Sequence, residues 1–153
     1  MHYLLATFIV LLALTGGAMA CDKAEEDLAD FLAGSYSLIG REPHFGAPYA
    51  GAATLRAAGC RLVFARCVNG ERINGTARLG SITADEIPVL EIRYRMGSQI
   101  ILGMFLIDGD PDNYALLSGE WKVGESTGAP GREHWYIERE SDLAAENPQP
   151  ACE

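Results

Sequence analysis

Arg66 is the residue whose surroundings most demand a partner. It stands in Leu62-Val-Phe64-Ala-Arg66-Cys-Val68, an alternating run in which every second side chain falls on one side of a strand. That places a guanidinium in line with Leu62, Phe64 and Val68. Buried alone it would be prohibitive, so it must be paired or solvated. Two partners are open from the residues. One is a rim ion pair with Glu71. The other is the acidic head of an amphipathic ligand, with Tyr94 adding a hydroxyl. The aromatics Phe64, Tyr94, Phe105, Trp121 and Trp135 either line a pocket beside it or fill that space themselves.

Other candidates for chemistry are weaker. His44 lies in a loop where an entering ligand would pass it, and His134 lies in a strand beside Trp135 and Tyr136, where it packs or caps. No H-E-x-x-H, C-x-x-C or P-loop occurs, and no catalytic residue, metal or cofactor is expected. Asp108-Gly-Asp110-Pro-Asp112 alternates carboxylates as a calcium loop does. Asn113 and Gly119 stand where such a loop needs Gly and Glu, so the segment reads as an acidic solvated turn.

The elements that position these groups follow from period and punctuation. The chain has 153 residues, 48% hydrophobic and 22% charged, which suits one globular domain. Lys+Arg number 12 against Asp+Glu 21, a net charge of −9. That balance lacks the basic footprint of a nucleic-acid binder and suits anionic membrane surfaces poorly. Leu4 to Leu14 is an apolar run too short to span a bilayer, and Ala18-Met19-Ala20 offers a small-x-small cleavage pattern before Cys21. Residues 1–20 therefore read as a signal peptide, with an uncleaved N-terminal anchor as the alternative. Gly17-Ala18-Met19-Ala20-Cys21 also resembles a bacterial lipoprotein box, which would lipidate Cys21. The chain is expected to be exported, in the periplasm or anchored to the envelope by that lipid.

Residues 21–33 read as a short helix. Asp22 caps it with Glu25 three residues on, and Ala24, Leu28, Phe31 and Leu32 share a face. Gly34 is expected to end it. The period then changes from 3.6 to 2. Strand candidates cover 34–40, 49–57, 61–68, 71–79, 88–96, 99–107, 114–122 and 133–139. Asn69-Gly70 signals a type I′ hairpin and Gly97-Ser98 a type II′ turn. No second long helix intervenes, so parallel βαβ units are excluded. The expected fold is all-β: an eight-stranded antiparallel up-and-down barrel over 34–139, with a tail over 140–153.

The two turns set registers. Leu62, Phe64, Arg66, Val68, Ile73, Ala77 and Leu79 should face inward, with Cys67 outward. Leu90, Ile92, Tyr94 and Met96 should face inward with Ile101, Gly103, Phe105 and Ile107. Ile100, Leu102, Met104 and Leu106 then form an apolar stripe outside. Either the N-terminal helix covers it, or it is a homodimer or partner surface.

Three signatures fall in order along these strands. Gly34-Ser35-Tyr36 opens the first, Asp112-Asn113-Tyr114 precedes the seventh, and Trp135-Tyr-Ile-Glu-Arg139 closes the eighth. Together they resemble the lipocalin and calycin pattern, with Tyr36 where that pattern has Trp. The chain is also similar to a loose group of exported bacterial proteins with G-x-Y starts and G-x-W near the end, here Gly119-Glu-Trp121. The resemblance implies a lipocalin-like, calycin-like barrel in which Arg139 covers the ring of Tyr36 as a structural cation–π contact.

Up-and-down connectivity sorts the loops. Segments 58–60, 80–87 and 108–113 share the closed end with the helix, and 41–48, 69–70, 97–98 and 123–132 share the open end. Cys60 and Cys67 flank one strand, roughly 23 Å apart at about 3.3 Å per residue, which is too far for a disulfide. The expected pair is Cys60–Cys152 at the closed end, with Cys21–Cys152 competing where Cys21 is unmodified. The leading functional expectation is a non-enzymatic barrel that binds a small apolar or amphipathic ligand through Arg66, Tyr94, Phe64, Phe105, Trp121 and His44. The competing one is an envelope interaction or inhibitor module with a side-chain-filled barrel. Neither engages nucleic acid, and each touches a membrane only through a lipid on Cys21.

Overall fold

Alternating apolar residues broken by glycine-bearing turns fold into a continuous antiparallel ribbon. The computed structural model describes residues 21–108, 115–138 and Cys152. Helix α1 (Lys23–Leu32) is followed by β1 (Gly34–Arg41), β2 (Pro48–Ala58), β3 (Arg61–Val68), β4 (Glu71–Ile82), β5 (Ile87–Met96), β6 (Gln99–Asp108), β7 (Leu116–Val123) and β8 (Gly131–Ile137). Each strand pairs with its sequence neighbour, and β1 pairs with β8, closing an eight-stranded barrel. Closure leaves no sheet edge exposed. The expected signal peptide over 1–20, Arg139 and all of the 140–153 tail but Cys152 lie outside the described residues.

The hairpins carry the expected turns. Asn69 and Gly70 both take positive φ, 53° and 79°, as a type I′ turn needs. Only Gly97 of the Gly97-Ser98 pair does so, as in type II′. Val68 accordingly faces Glu71 and Arg66 faces Ile73, while Tyr94 faces Ile101. Period-2 alternation does the rest, and Leu62, Phe64, Arg66, Leu90, Ile92, Tyr94, Ile101 and Phe105 are all buried.

Helix α1 is capped as its sequence predicts, the Asp22 side chain accepting from the Glu25 N–H at 2.8 Å. Its end differs. Ala33 is already extended, with φ −69° and ψ 127°, so the chain runs straight into β1 and Gly34 serves no left-handed cap. Ala29 and Leu32 are buried in the barrel's own core cluster, with Leu28 and Phe31 packed against it. The Tyr36 hydroxyl, rising from the core, donates to the Leu32 carbonyl at 2.7 Å. The helix thus plugs the end where β1 begins, and its neighbour is β2. The expectation that it covers the outer stripe is corrected. Met104 and Leu106 remain 45% and 41% exposed. The physical reason is the direct helix-to-strand junction, which keeps α1 at the barrel's end.

The disulfide is also a correction. Cys152 bonds Cys67, with Cα atoms 5.8 Å apart, and not Cys60. The Cys60–Cys152 expectation assumed that the tail stays near the end of β8. Fourteen residues separate Ile137 from Cys152. Extended, such a segment reaches up to about 50 Å, well beyond the height of a short strand. Cys67 faces outward on β3, near the open end, where a tail on the outside can meet it.

Candidate functional site

Inside the barrel the large side chains meet one another. Trp135 on β8 stacks on Phe64 of β3 (centroids 5.5 Å apart, planes 15°), and touches Phe105 of β6 at 5.0 Å and Tyr36 of β1 at 5.9 Å. All four are fully buried. Inward glycines give them room. A Cβ on Gly103 or Gly119 would run into the Phe105 ring, and one on Gly131 into the Trp121 indole. Large residues opposite small ones fill a small barrel's interior. The Tyr36–Arg139 contact implied by the lipocalin resemblance falls on an undescribed residue, while the ring of Tyr36 faces Trp135.

Above this aromatic layer lies a polar one. Arg66 is 5% exposed and Glu133 0%. An Arg66 Nη2–Glu133 Oε1 ion pair at 2.6 Å joins β3 to β8. Arg66 Nη1 donates to the Tyr94 hydroxyl at 2.5 Å. The Tyr49 hydroxyl donates to Glu133 Oε1 at 2.5 Å and accepts from Trp121 Nε1 at 2.8 Å. Trp135 Nε1 donates to Glu133 Oε2 at 2.8 Å. The guanidinium carbon also lies 5.7 Å from the Tyr49 ring centre and 5.4 Å from that of Tyr94. Among the described buried side-chain atoms only Arg66 Nε lacks a partner.

Electrostatics agree with a structural layer. Burial alone would lower the Arg66 pKa, but the Glu133 carboxylate and the two tyrosine hydroxyls outweigh it, and the group is held charged. Burial pushes the Tyr94 hydroxyl up to about 12, against the opposing pull of Arg66. Burial and the Glu133 charge raise Tyr49 further.

The structure therefore gathers Arg66, Tyr94, Phe64, Phe105 and Trp121, as the sequence suggested, but around an internal carboxylate. Glu133, and not Glu71, is the ion-pair partner of Arg66. Glu133 is the member that sequence reasoning missed. The signal was present, because Glu133 shares inward parity with Trp135 two residues on. His44 stands apart. It sits in the 42–47 loop with φ 59°, its N–H donates to Ala129 O at 3.1 Å, and its ring packs against Gly128. It joins two open-end loops. His134 is exposed on the outside of β8, 3.0 Å from the Ser118 hydroxyl.

Outside, two concavities stand out. One, of about 750 Å³, lies at the open end over β1, β2 and β8, and Ile39, Arg41, Phe45, Tyr49, Pro130 and Arg132 help to line it. The other, of about 1000 Å³, crosses β4 to β7 and includes Leu102 and Met104 of the stripe. The stripe is banded by charge. Met104 lies between Glu91 and Glu120, and Leu102 between Arg93 and Lys122. The one described group of donors suited to a metal is Cys21, Glu25 and Cys60, whose ligand atoms lie within 4.8 Å of one another. No protein-family model and no curated protein matches the chain.

Proposed function

We propose that this chain is an exported, non-enzymatic, lipocalin-like barrel whose interior is structural and whose outer face binds another protein in the cell envelope. The filled interior carries this reading. A carrier of small apolar molecules needs a preformed cavity of a few hundred Å³. Here the corresponding volume holds Trp135, Phe64, Phe105 and Tyr36, and Arg66, the one buried cation among the described residues, is already neutralised by Glu133. The Cys67–Cys152 disulfide supports an oxidising compartment.

The binding face is the β6 stripe. An exposed apolar ridge rimmed by charged residues has the make-up of an interaction surface. Glu91 and Glu120 on one level, Arg93 and Lys122 on the next, give it a polarity that a partner must match. A photo-crosslinking residue in place of Met104, compared with one in place of Arg56 on the outer face of β2, tests the reading in the full chain within its envelope. A discrete protein adduct at Met104 and none at Arg56 is expected. Equal labelling at both positions sinks it.

A second reading keeps the amphipathic ligand but moves it outside. Arg41 and Arg132 face each other across β1 and β8, next to Ile39 and to Phe45, which is 81% exposed. Two guanidiniums beside an apolar groove suit the head and tail of an anionic amphiphile. Native mass spectrometry of protein from its source separates the two, because only this reading expects a bound small molecule that Arg41→Ala releases.

A further inference from the structure

Cys21 immediately precedes the helix cap Asp22, and Cys60 follows Gly59 in the tight turn between β2 and β3. Far apart in sequence, the two are brought together by α1. Its packing over the barrel's end, against β2, carries its first residues to that turn. The two sulfurs and a Glu25 carboxylate oxygen all lie within 4.8 Å of one another. Both thiols are partly exposed, so reagents can reach them.

The other two of the four cysteines already form the Cys67–Cys152 bond. A chain that keeps one cystine folds where thiols are oxidised. Cys21 also lies outside the helix, so no helical hydrogen bond holds its backbone and its side chain is free to turn toward Cys60. We propose that Cys21 and Cys60 form a second disulfide, which fastens the start of α1 to the β2–β3 turn and locks the helical plug in the barrel.

The step balances as thiol–disulfide exchange. One thiolate attacks the disulfide of an oxidised dithiol oxidoreductase, giving a mixed disulfide and one free thiol on the oxidant. The second protein thiolate then displaces the remaining oxidant sulfur. Two protein S–H groups become one S–S bond, and the oxidant leaves as a dithiol carrying both hydrogens.

Two consequences follow from the geometry. The two disulfides flank a single strand. Cys60 and Cys67 stand at opposite ends of β3, so the N-terminal segment is stapled at one end of that strand and the C-terminal tail at the other. The bond also consumes the sulfur that a lipid thioether would need, so a disulfide and a lipidated Cys21 exclude one another. The same three donors make a metal site the rival occupant.

The test uses the full chain, exported with its own leader, alkylated before lysis and digested without reduction. Samples are scored in which the Cys67–Cys152 peptide pair is found joined. The expected result is a Cys21 peptide joined to a Cys60 peptide, lighter than the two thiol forms together by two hydrogens, with no alkylated cysteine. Melting temperatures give a second readout. Cys21→Ser, Cys60→Ser and the double variant should lose the same amount, since each removes one bond. Three results would overturn the proposal: alkylation of both thiols, a diacylglyceryl thioether on Cys21 with Cys60 alkylated, or one equivalent of zinc that shields both thiols until it is chelated. Unequal losses in the two single variants would do the same.

Discussion

Arg66 on β3 and Glu133 on β8 meet at 2.6 Å across the interior of a barrel in which their strands share no hydrogen bond. The pair is neutral as a unit and surrounded by donors. Tyr49 and Trp135 also donate to the carboxylate, so each of its oxygens is engaged. Such a layer holds five strands at fixed positions.

Removing one partner should therefore hurt more than removing the charge altogether. Arg66→Met leaves Glu133 buried without its counter-ion and should cost about 3–5 kcal/mol. Arg66→Met combined with Glu133→Gln removes both charges, keeps a carbonyl acceptor for Trp135 and turns an amide donor to the Tyr49 hydroxyl, and should recover much of that loss. Urea titration of the two variants and wild type checks this. A double variant less stable than Arg66→Met would show that the pair is not the reason.

Stability should fall in alkali. The hydroxyls of Tyr36, Tyr49 and Tyr94 are all raised above the ordinary value near 10, Tyr94 to about 12. The folded state then holds protons that the unfolded state has released, so stability is whole below about pH 10 and declines above it. Each such tyrosine contributes a slope of at most about 1.4 kcal/mol per pH unit. Denaturant midpoints from pH 8 to 11.5 should be level at first and then drop, with the phenolate absorbance of the buried tyrosines appearing only as the protein unfolds.

Trp135 is the centre of the aromatic layer, so Trp135→Ala should cost about 3–5 kcal/mol and leave a cavity. Apolar dyes should then bind the variant and not the wild type. Dye binding by folded wild type, displaced by filling substitutions at Gly103, would mean that the interior is open after all.

The Cys67–Cys152 bond closes a loop of sequence separation 85. On the chain-entropy account its loss in Cys152→Ser should cost up to about 4.5 kcal/mol. Thermal melts with and without reductant give the measure. Wild type should fall toward the variant on reduction, and the variant should shift less.

Much of the barrel was legible because its determinants are local. Asn69-Gly70 and Gly97-Ser98 dictate two registers, and from each register the parity of every residue in two strands follows. The interior position of Arg66, Phe64, Tyr94 and Phe105 was therefore readable. The partner of Arg66 was not. Glu71 is its neighbour along the hairpin, while Glu133 reaches it only because β8 returns to β1.

Period and turn chemistry in the sequence alone settled the number of strands, their order and which side of the four strands in the two marked hairpins faces in, since both act over a few residues. Tertiary structure alone decided that the lumen is filled, that the helix plugs the end instead of lying on the stripe, and that Cys67 takes Cys152. Those outcomes depend on side-chain volumes summed around a closed ring and on the paths of segments between strands. No window of local sequence contains either quantity.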